Sequence, residues 1–412
     1  MNTSVFVNTI IVTIEKVIQL FLALFVSGLI ARFLTVEEFG YWQFSVQMLA
    51  YAGVFGLVCG AEILLPRLAN GDVNHILTNA LILRIIFGVL TFAIAVIAIY
   101  LLGVSHETFL FSVLLFIILL FTEPFAVFAC YLQSEVKNTP LAIIRLMSLS
   151  ARTLIVIFIV SFSLSIYSLA FAWIIEALIT SIGYLICFRI YRAENIGINL
   201  HLLNYRYMKE LVLIGLMFML GQLLLMSSMR LDRIIVAKIT DASFSGNYLV
   251  MTQLFDSLYQ LIVIINLVFV TSFLYKNNNN FKSDLKLMCK LLGFYIAISM
   301  IGSIVLFMIS ESLIILIYSD KYTLAVDFLE HIAFVIPLLT TSVLLFAIFF
   351  KYGKYYYYII TNLFGFISVC IYVYIVAQSA QFFNFIYTPY LYMSCVIITS
   401  IIFLQRMMHH ET

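Results

Sequence analysis

Most of this chain consists of apolar segments of about 20 to 30 residues, each long enough to cross a bilayer as an α-helix. The segments lack the polar–apolar alternation of barrel strands, and a helix satisfies its own backbone hydrogen bonds in lipid. Hydrophobic residues make up 64% of the chain and charged residues 10%, whereas about 25% of a soluble domain is charged. The sequence therefore predicts an all-α polytopic membrane protein.

The hydropathy pattern predicts twelve spans, an even number that places both termini on one side of the membrane. Lys and Arg residues in the connections and at the ends of the spans favour one side by fourteen to three. By the positive-inside rule, both termini are then cytoplasmic. The predicted spans are about 4–33, 39–65, 76–103, 109–133, 141–164, 167–190, 209–237, 245–275, 286–309, 323–350, 355–376 and 386–405.

An internal repeat divides the chain into halves. Residues Ala31–Trp42 have a degenerate second copy at Ala237–Tyr248, offset by 206 residues in a chain of 412. Self-similarity at half the chain length is typical of transporters in which two like bundles enclose a central cavity. We therefore expect a six-helix bundle over 1–190, a cytoplasmic linker over 191–208 and a second six-helix bundle over 209–412.

Several common functional motifs do not occur in this sequence. It contains no Gly-rich phosphate loop with GK[ST], and no HExxH, GxSxG or zinc spacing. We therefore expect no cofactor, no metal site, no nucleic-acid partner and no enzymatic activity. Without a phosphate loop for nucleotide hydrolysis, the expected energy source for transport is a proton or sodium gradient.

Five basic residues fall within predicted spans, where each costs about 2.5–3.5 kcal/mol at the helix centre. Lys16 lies roughly 18 Å along the first span and so near the midplane. Arg84 is shallow enough to snorkel to the surface, and whether it lines a path is open. The set is Lys16, Arg84, Arg152, Arg230 and Arg233.

Acidic residues within the spans have two interpretations. They either neutralise the buried bases, for example in a local pair between Asp232 and a neighbouring arginine, or bind the coupling cation of a transporter. The sequence leaves both open, as it does for Glu176. The candidates for cation coupling are Glu15, Glu62, Glu123, Asp232 and Asp256.

Three stretches resemble the polysaccharide-exporting branch of the multidrug/oligosaccharidyl-lipid/polysaccharide superfamily. They are Gly28–Trp42, Ser228–Lys238 with the following Gly246-Asn-Tyr248, and Ile315–Tyr322, in which Ser319 stands where a glycine is usual. The resemblance implies an O-antigen-type flippase of the bacterial inner membrane, built from two six-helix bundles. Its substrate would be an undecaprenyl-pyrophosphate-linked oligosaccharide, used in lipopolysaccharide or similar polysaccharide biosynthesis. Other glycan-assembly membrane proteins are further candidate partners.

The resemblance implies that Asp232, Arg233 and Lys16 are site residues. Arg152 and Arg230 join them on physical grounds, because guanidinium groups bind phosphates bidentately and a lysine acts as a point charge. Gln47 and Gln253 are candidates for hydrogen bonds to the sugar. The expected mechanism is alternating access, with the two halves rocking about a central cationic cavity.

Three alternatives remain from the sequence. A cation-coupled multidrug exporter of the same superfamily would favour an acidic, aromatic cavity over a cationic one. A membrane glycan polymerase or ligase would need a substantial outer loop, whereas the connection at 104–108 is short. A scramblase-like or assembly subunit without transport activity is the third.

Overall fold

A computed structural model describes residues 3–70, 72–135, 137–269, 281–352 and 354–410. The described backbone is mainly α-helical, as the long apolar segments predict. The helices of the first half are α1 (Thr3–Phe33), α2 (Val36–Gly56), α3 (Ala61–Asn70), α4 (Val73–Leu101), α5 (His106–Phe116), α6 (Ile118–Ser134), α7 (Asn138–Ser161) and α8 (Ile166–Tyr191). Those of the second half are α9 (Tyr205–Ile239), α10 (Ala242–Phe269), α11 (Phe281–Ile317), α12 (Thr323–Ile332), α13 (Ile336–Lys351), α14 (Tyr355–Ser379) and α15 (Thr388–His410).

Ten helical segments of the described chain are long and apolar enough to cross a membrane. This confirms a polytopic helical membrane protein, while the number twelve stays a prediction. The predicted spans at 39–65 and 245–275 are not among the ten. The first is divided between α2 and α3, and the second runs beyond the described part of the chain after Phe269.

The predicted span at 39–65 is interrupted. Here α2 ends at Gly56, a 3-10 turn covers Leu57–Cys59, and α3 starts at Ala61. Hydropathy is insensitive to such a break because the apolar run continues through it. The two glycines that flank the turn, Gly56 and Gly60, are the local signal, since glycine weakens a helix interior by about 1 kcal/mol relative to alanine.

The chain folds into two compact units. The first comprises Met1–Leu34 and Tyr41–Leu223, and the second comprises Thr35–Gly40 and Leu224–Thr412. Helix α9 contributes its first part to unit 1 and its second part to unit 2. The bundle limits that we derived from the repeat stay a prediction.

In unit 1, α7 packs against α1 and α8, and α6 packs against α4 and α8. The core beside α3, α4 and α6 is fully buried at Leu64, Leu77, Val127 and Leu132. In contrast, α4 exposes a row of large apolar side chains, as expected of a helix that faces lipid tails.

In unit 2, α11 packs against α12 and α13, α14 against α15, and α10 against α12 and α13. Its core includes Leu344, Ile348, Phe349 and Leu404. These aliphatic and aromatic side chains pack between helices, and buried polar side chains such as Ser303, Asn362 and Ser400 occur along several helices of the same unit.

The predicted linker is held against the start of α4. The side chains of Asn74, Thr78 and Asn79 hydrogen-bond the backbone of 195–204 at distances of 2.8–3.1 Å. Thr78 and Asn79 are fully buried by this contact. The segment is therefore part of unit 1, fixed by side-chain amides and a hydroxyl that replace water as partners of its backbone.

Candidate functional site

A buried polar cluster in unit 1 joins α1 to α7. Lys16 Nζ donates to Gln19 Oε1 at 3.1 Å, and Gln19 Nε2 donates to Glu15 Oε1 at 2.9 Å. Arg145 Nη1 lies 3.1 Å from the same Glu15 oxygen. Among the described side chains, no carboxylate lies within salt-bridge distance of Lys16 Nζ. The cluster therefore brings two cations together with one carboxylate.

Arg145 is the member of this cluster that sequence reasoning missed. The charge count assigned it to a cytoplasmic connection, whereas its side chain is 21% exposed and reaches Glu15, whose side chain is 1% exposed. Its Nε is buried and has no hydrogen-bond partner among the described atoms. No sequence signal pairs Arg145 with Glu15, because their contact depends on how α7 packs against α1.

Arg152 lies in a second cluster of unit 1, between α7 and α8. Its Nη1 is 2.7 Å from Glu176 Oε2, and its guanidinium lies 4.6 Å from the ring centroid of Trp173. The rings of Trp42 and Trp173 pack edge to face, with their centroids 5.7 Å apart. Arg152 is thus held by a carboxylate and an indole, and Glu176 neutralises it.

Arg84 and Glu123 also lie together, on α4 and α6. Arg84 Nη1 is 3.8 Å from Glu123 Oε2, and the arginine side chain is 5% exposed. The snorkelling that the sequence left open for Arg84 does not take place. The guanidinium instead turns inward because two backbone carbonyls and the carboxylate surround it.

In unit 2, two arginines of α9 converge on one acid of α10. Arg233 Nη1 and Nη2 donate to the two carboxylate oxygens of Asp256, both at 2.6 Å. Arg230 Nη2 lies 3.3 Å from the same carboxylate. Arg233 is 2% exposed, so this bidentate pair is desolvated. The interhelical pair with Asp256 holds Arg233.

Asp232 has a different partner, the hydroxyl of Tyr248. That hydroxyl hydrogen-bonds Asp232 Oδ2 and also lies 3.2 Å from the carbonyl oxygen of Phe385. A phenol has one proton, so Tyr248 can donate to one of these two acceptors at a time. A protonated Asp232 would donate to Tyr248 and let it donate to Phe385. The buried trio therefore accepts one proton without losing a hydrogen bond.

The remaining predicted residues are placed as follows. Gln47 on α2 is buried and Gln253 on α10 is half-buried. The side chain of Glu62 lies outside the described part of the chain. The structure thus groups the predicted residues into separate clusters within units, Glu15 with Lys16, Arg152 with Glu176, and Arg230 and Arg233 with Asp256.

The repeated stretch ends at corresponding aromatic residues that both touch these clusters. Trp42 contacts the indole that covers Arg152, and Tyr248 binds Asp232. The two positions are related by the 206-residue offset. Sequence reasoning treated the stretch as a positional marker and missed the role of its final residue, although the recurrence of an aromatic there was visible.

Residues 29–327 match a family described as polysaccharide biosynthesis protein. No curated protein matches the sequence closely enough to be counted as a relative. Solved structures show the same fold. An inward-facing multidrug resistance MATE family transporter of the MOP superfamily aligns at TM-score 0.72 and 13% identity, covering 97% of this chain and 100% of that one.

Two further structures share the fold. The lipid II flippase MurJ, in an inward closed conformation, aligns at TM-score 0.74 and 15% identity, covering 95% of this chain and 87% of that one. A MOP superfamily transporter from Pyrococcus furiosus, noted for the reverse polarity of its binding pocket, aligns at TM-score 0.61 and 14% identity, covering 96% and 93%.

Proposed function

We propose that this chain, which belongs to the polysaccharide biosynthesis protein family, is a flippase for lipid-linked oligosaccharides. The observation that carries the proposal is the positive surplus around Lys16, a deep cation whose hydrogen-bond partner is a neutral amide. A substrate anion would complete its coordination. The fold shared with MATE transporters and with a lipid II flippase supports a transport function.

The chemistry of such a substrate matches the cluster on α1 and α7. A lipid-linked sugar carries a diphosphate that cannot cross about 30 Å of hydrocarbon unaided. Lys16 would contribute a point charge, and Arg145 would contribute its buried Nε as a donor. Gln47 and Gln253 remain candidates for the sugar, and Arg230 and Arg233 for the phosphates once Asp256 is displaced.

We extend the proposal to the substrate, the direction of transport and the coupling residue. The substrate would be an undecaprenyl-pyrophosphate-linked O-antigen or similar repeat unit, moved from the cytoplasmic to the outer leaflet of the bacterial inner membrane by alternating access. Both termini would be cytoplasmic, consistent with the basic connections. Asp232 is the favoured coupling residue, because its trio with Tyr248 and Phe385 accepts a proton while staying hydrogen-bonded. Glu123 is a weaker candidate for cation coupling because its carboxylate already pairs with Arg84.

The second candidate is a cation-coupled multidrug exporter, and the structural likeness to MATE transporters supports it. A cationic drug would be repelled by Lys16 and Arg145, so the observed charge favours an anionic substrate. A glycan polymerase or ligase would instead have to place catalytic groups on the short outer connections.

The test uses the purified protein in liposomes that contain a fluorescent undecaprenyl-diphosphate oligosaccharide. We expect translocation, measured as loss of accessibility to an added lectin, and stimulation by an imposed proton or sodium gradient. The same oligosaccharide on a neutral lipid anchor is the control. Equal transport of the neutral lipid, or export of a cationic dye in its place, would contradict the proposal.

A further inference from the structure

The break in the second predicted span is occupied by a charged side chain from a neighbouring helix. Where α2 ends at Gly56, the 3-10 turn Leu57–Cys59 leads into α3. A helix end leaves backbone carbonyls without partners inside the helix. The carbonyl of Cys59 is satisfied by Arg84, whose Nε donates to it at 2.8 Å.

Arg84 ties this turn to α6 at the same time. Its Nη1 donates to the backbone carbonyl of Glu123 at 3.1 Å and lies 3.8 Å from the Glu123 carboxylate. In discontinuous transporter helices, carbonyls freed by the break coordinate a cation. Here the guanidinium, 5% exposed, occupies that place, so the cation is part of the chain.

Close packing fixes the turn from two sides. A Cβ at Gly56 would lie 2.2 Å from the carboxyl carbon of Glu123, whereas a Cβ at Gly53 on the same helix would meet open space. On the other side, a Cβ at Gly215 would lie 1.7 Å from the carbonyl oxygen of Val58. Position 215 requires glycine because the nearest atoms are backbone, whereas a Cβ at position 56 would push the Glu123 carboxylate away from its place beside Arg84.

At the corresponding positions that the structure describes, the second repeat has neither the break nor the arginine. With the 206-residue offset, Gly56 corresponds to Ile262, which lies inside the continuous helix α10. Arg84 corresponds to the exposed Lys290, and Glu123 corresponds to Leu329. The broken helix and the charges that hold it therefore occur together in one half of the chain and are replaced together in the other.

The break also lies well inside the helical bundle. Cys59 lies 11 residues before the end of α3, Arg84 lies 11 residues after the start of α4, and Glu123 lies 11 residues before the end of α6. At 1.5 Å per residue, each is roughly 17 Å from that end of its helix. An interruption at that depth falls within the span rather than in a surface loop. Arg84 binds the Cys59 carbonyl at this interruption and therefore lies where α2 passes into α3.

We propose that Arg84 is a positioning residue for transport: it holds the break at 57–60 as a bend, and α3 moves about this bend as the chain changes its access state. The transport step rests on the proposed flippase function. The clamp, by which we mean the contacts of Arg84 with Cys59 and Glu123, rests on unit 1 alone. Arg84 touches no substrate in this account.

The experiment measures amide hydrogen exchange of 57–70 in nanodiscs for two matched pairs of variants. Arg84→Gln is paired with Lys290→Gln, its repeat counterpart, and Gly56→Ala is paired with Gly53→Ala. We expect the first member of each pair to accelerate exchange in 57–70 by about tenfold or more, the ratio that corresponds to 1.4 kcal/mol. The second members should leave exchange there unchanged.

Transport of the fluorescent lipid-linked oligosaccharide is then measured on the same variants. We expect Arg84→Gln and Gly56→Ala to slow it by about tenfold or more. Arg84→Ala should be rescued by methylguanidinium and not by tetramethylammonium, because the site offers convergent hydrogen-bond acceptors as well as negative charge.

Unchanged exchange in both Arg84→Gln and Gly56→Ala would overturn the clamp. Faster exchange with undiminished transport would overturn its role in transport, and absence of methylguanidinium rescue would overturn the assignment of Arg84 as the resident cation. If Arg84 variants fail to accumulate, the Gly56 and Gly53 pair decides. Failure of the wild type to transport would count against the proposed function and leave the exchange comparison standing.

Discussion

Asp256→Asn removes the negative charge that two arginines share while keeping the side-chain shape. Arg233 loses two charge-assisted bonds of 2.6 Å and Arg230 loses a contact at 3.3 Å. Because Arg233 is 2% exposed, the variant leaves a desolvated guanidinium without its bidentate carboxylate. Breaking one side of a buried pair costs about 3–5 kcal/mol. At about 2–4 °C per kcal/mol for a unit of this size, the midpoint of thermal unfolding should fall by roughly 6–20 °C.

The assay is thermal unfolding of the detergent-purified protein, followed by size-exclusion fluorescence. The matched control is Glu210→Gln, which breaks the Arg67–Glu210 bridge, whose side chains are 27% and 58% exposed. That exposed pair is worth about 0–1 kcal/mol. Asp256→Asn combined with Arg233→Gln should recover most of the loss, since both charges leave together. A midpoint for Asp256→Asn equal to that of the control would refute the reasoning.

Three further predictions concern contacts outside that pair. Asn79→Ala removes the side chain that binds the linker at 2.8 and 3.0 Å, and we expect faster hydrogen exchange over 195–204, at a cost of about 1–3 kcal/mol. Gly215→Ala places a methyl 1.7 Å from a backbone oxygen, so membrane abundance should fall, whereas Gly293→Ala, with open space, should accumulate normally. Tyr248→Phe keeps the ring but removes the hydroxyl, and transport should lose its response to the imposed gradient.

Much of the helical architecture follows from the sequence because apolar length alone decides what can span a bilayer. The helices beginning at Val73, Asn138 and Ile166 lie within three residues of the predicted starts. The break at Leu57–Cys59 was missed since hydropathy does not change across it. A helix interruption depends on what packs against it, here Arg84, and that contact is tertiary.

The candidate site was predictable as a list of residues but not as a set of pairs. A base within an apolar segment must find a partner, so Lys16 and Arg152 could be singled out from one sequence. Which acid each base meets depends on helix packing. Arg145 reaches Glu15 across 130 positions of the chain, and no local pattern encodes that choice.

The central claim is that Lys16 binds the substrate diphosphate, and its most direct measurement is translocation by Lys16→Gln in liposomes. The matched control is Lys238→Gln, an exposed lysine at the end of α9. We predict that Lys16→Gln slows transport of the diphosphate-linked oligosaccharide by at least about tenfold, while Lys238→Gln retains wild-type transport and both reach normal membrane abundance. Wild-type transport by Lys16→Gln would contradict the account.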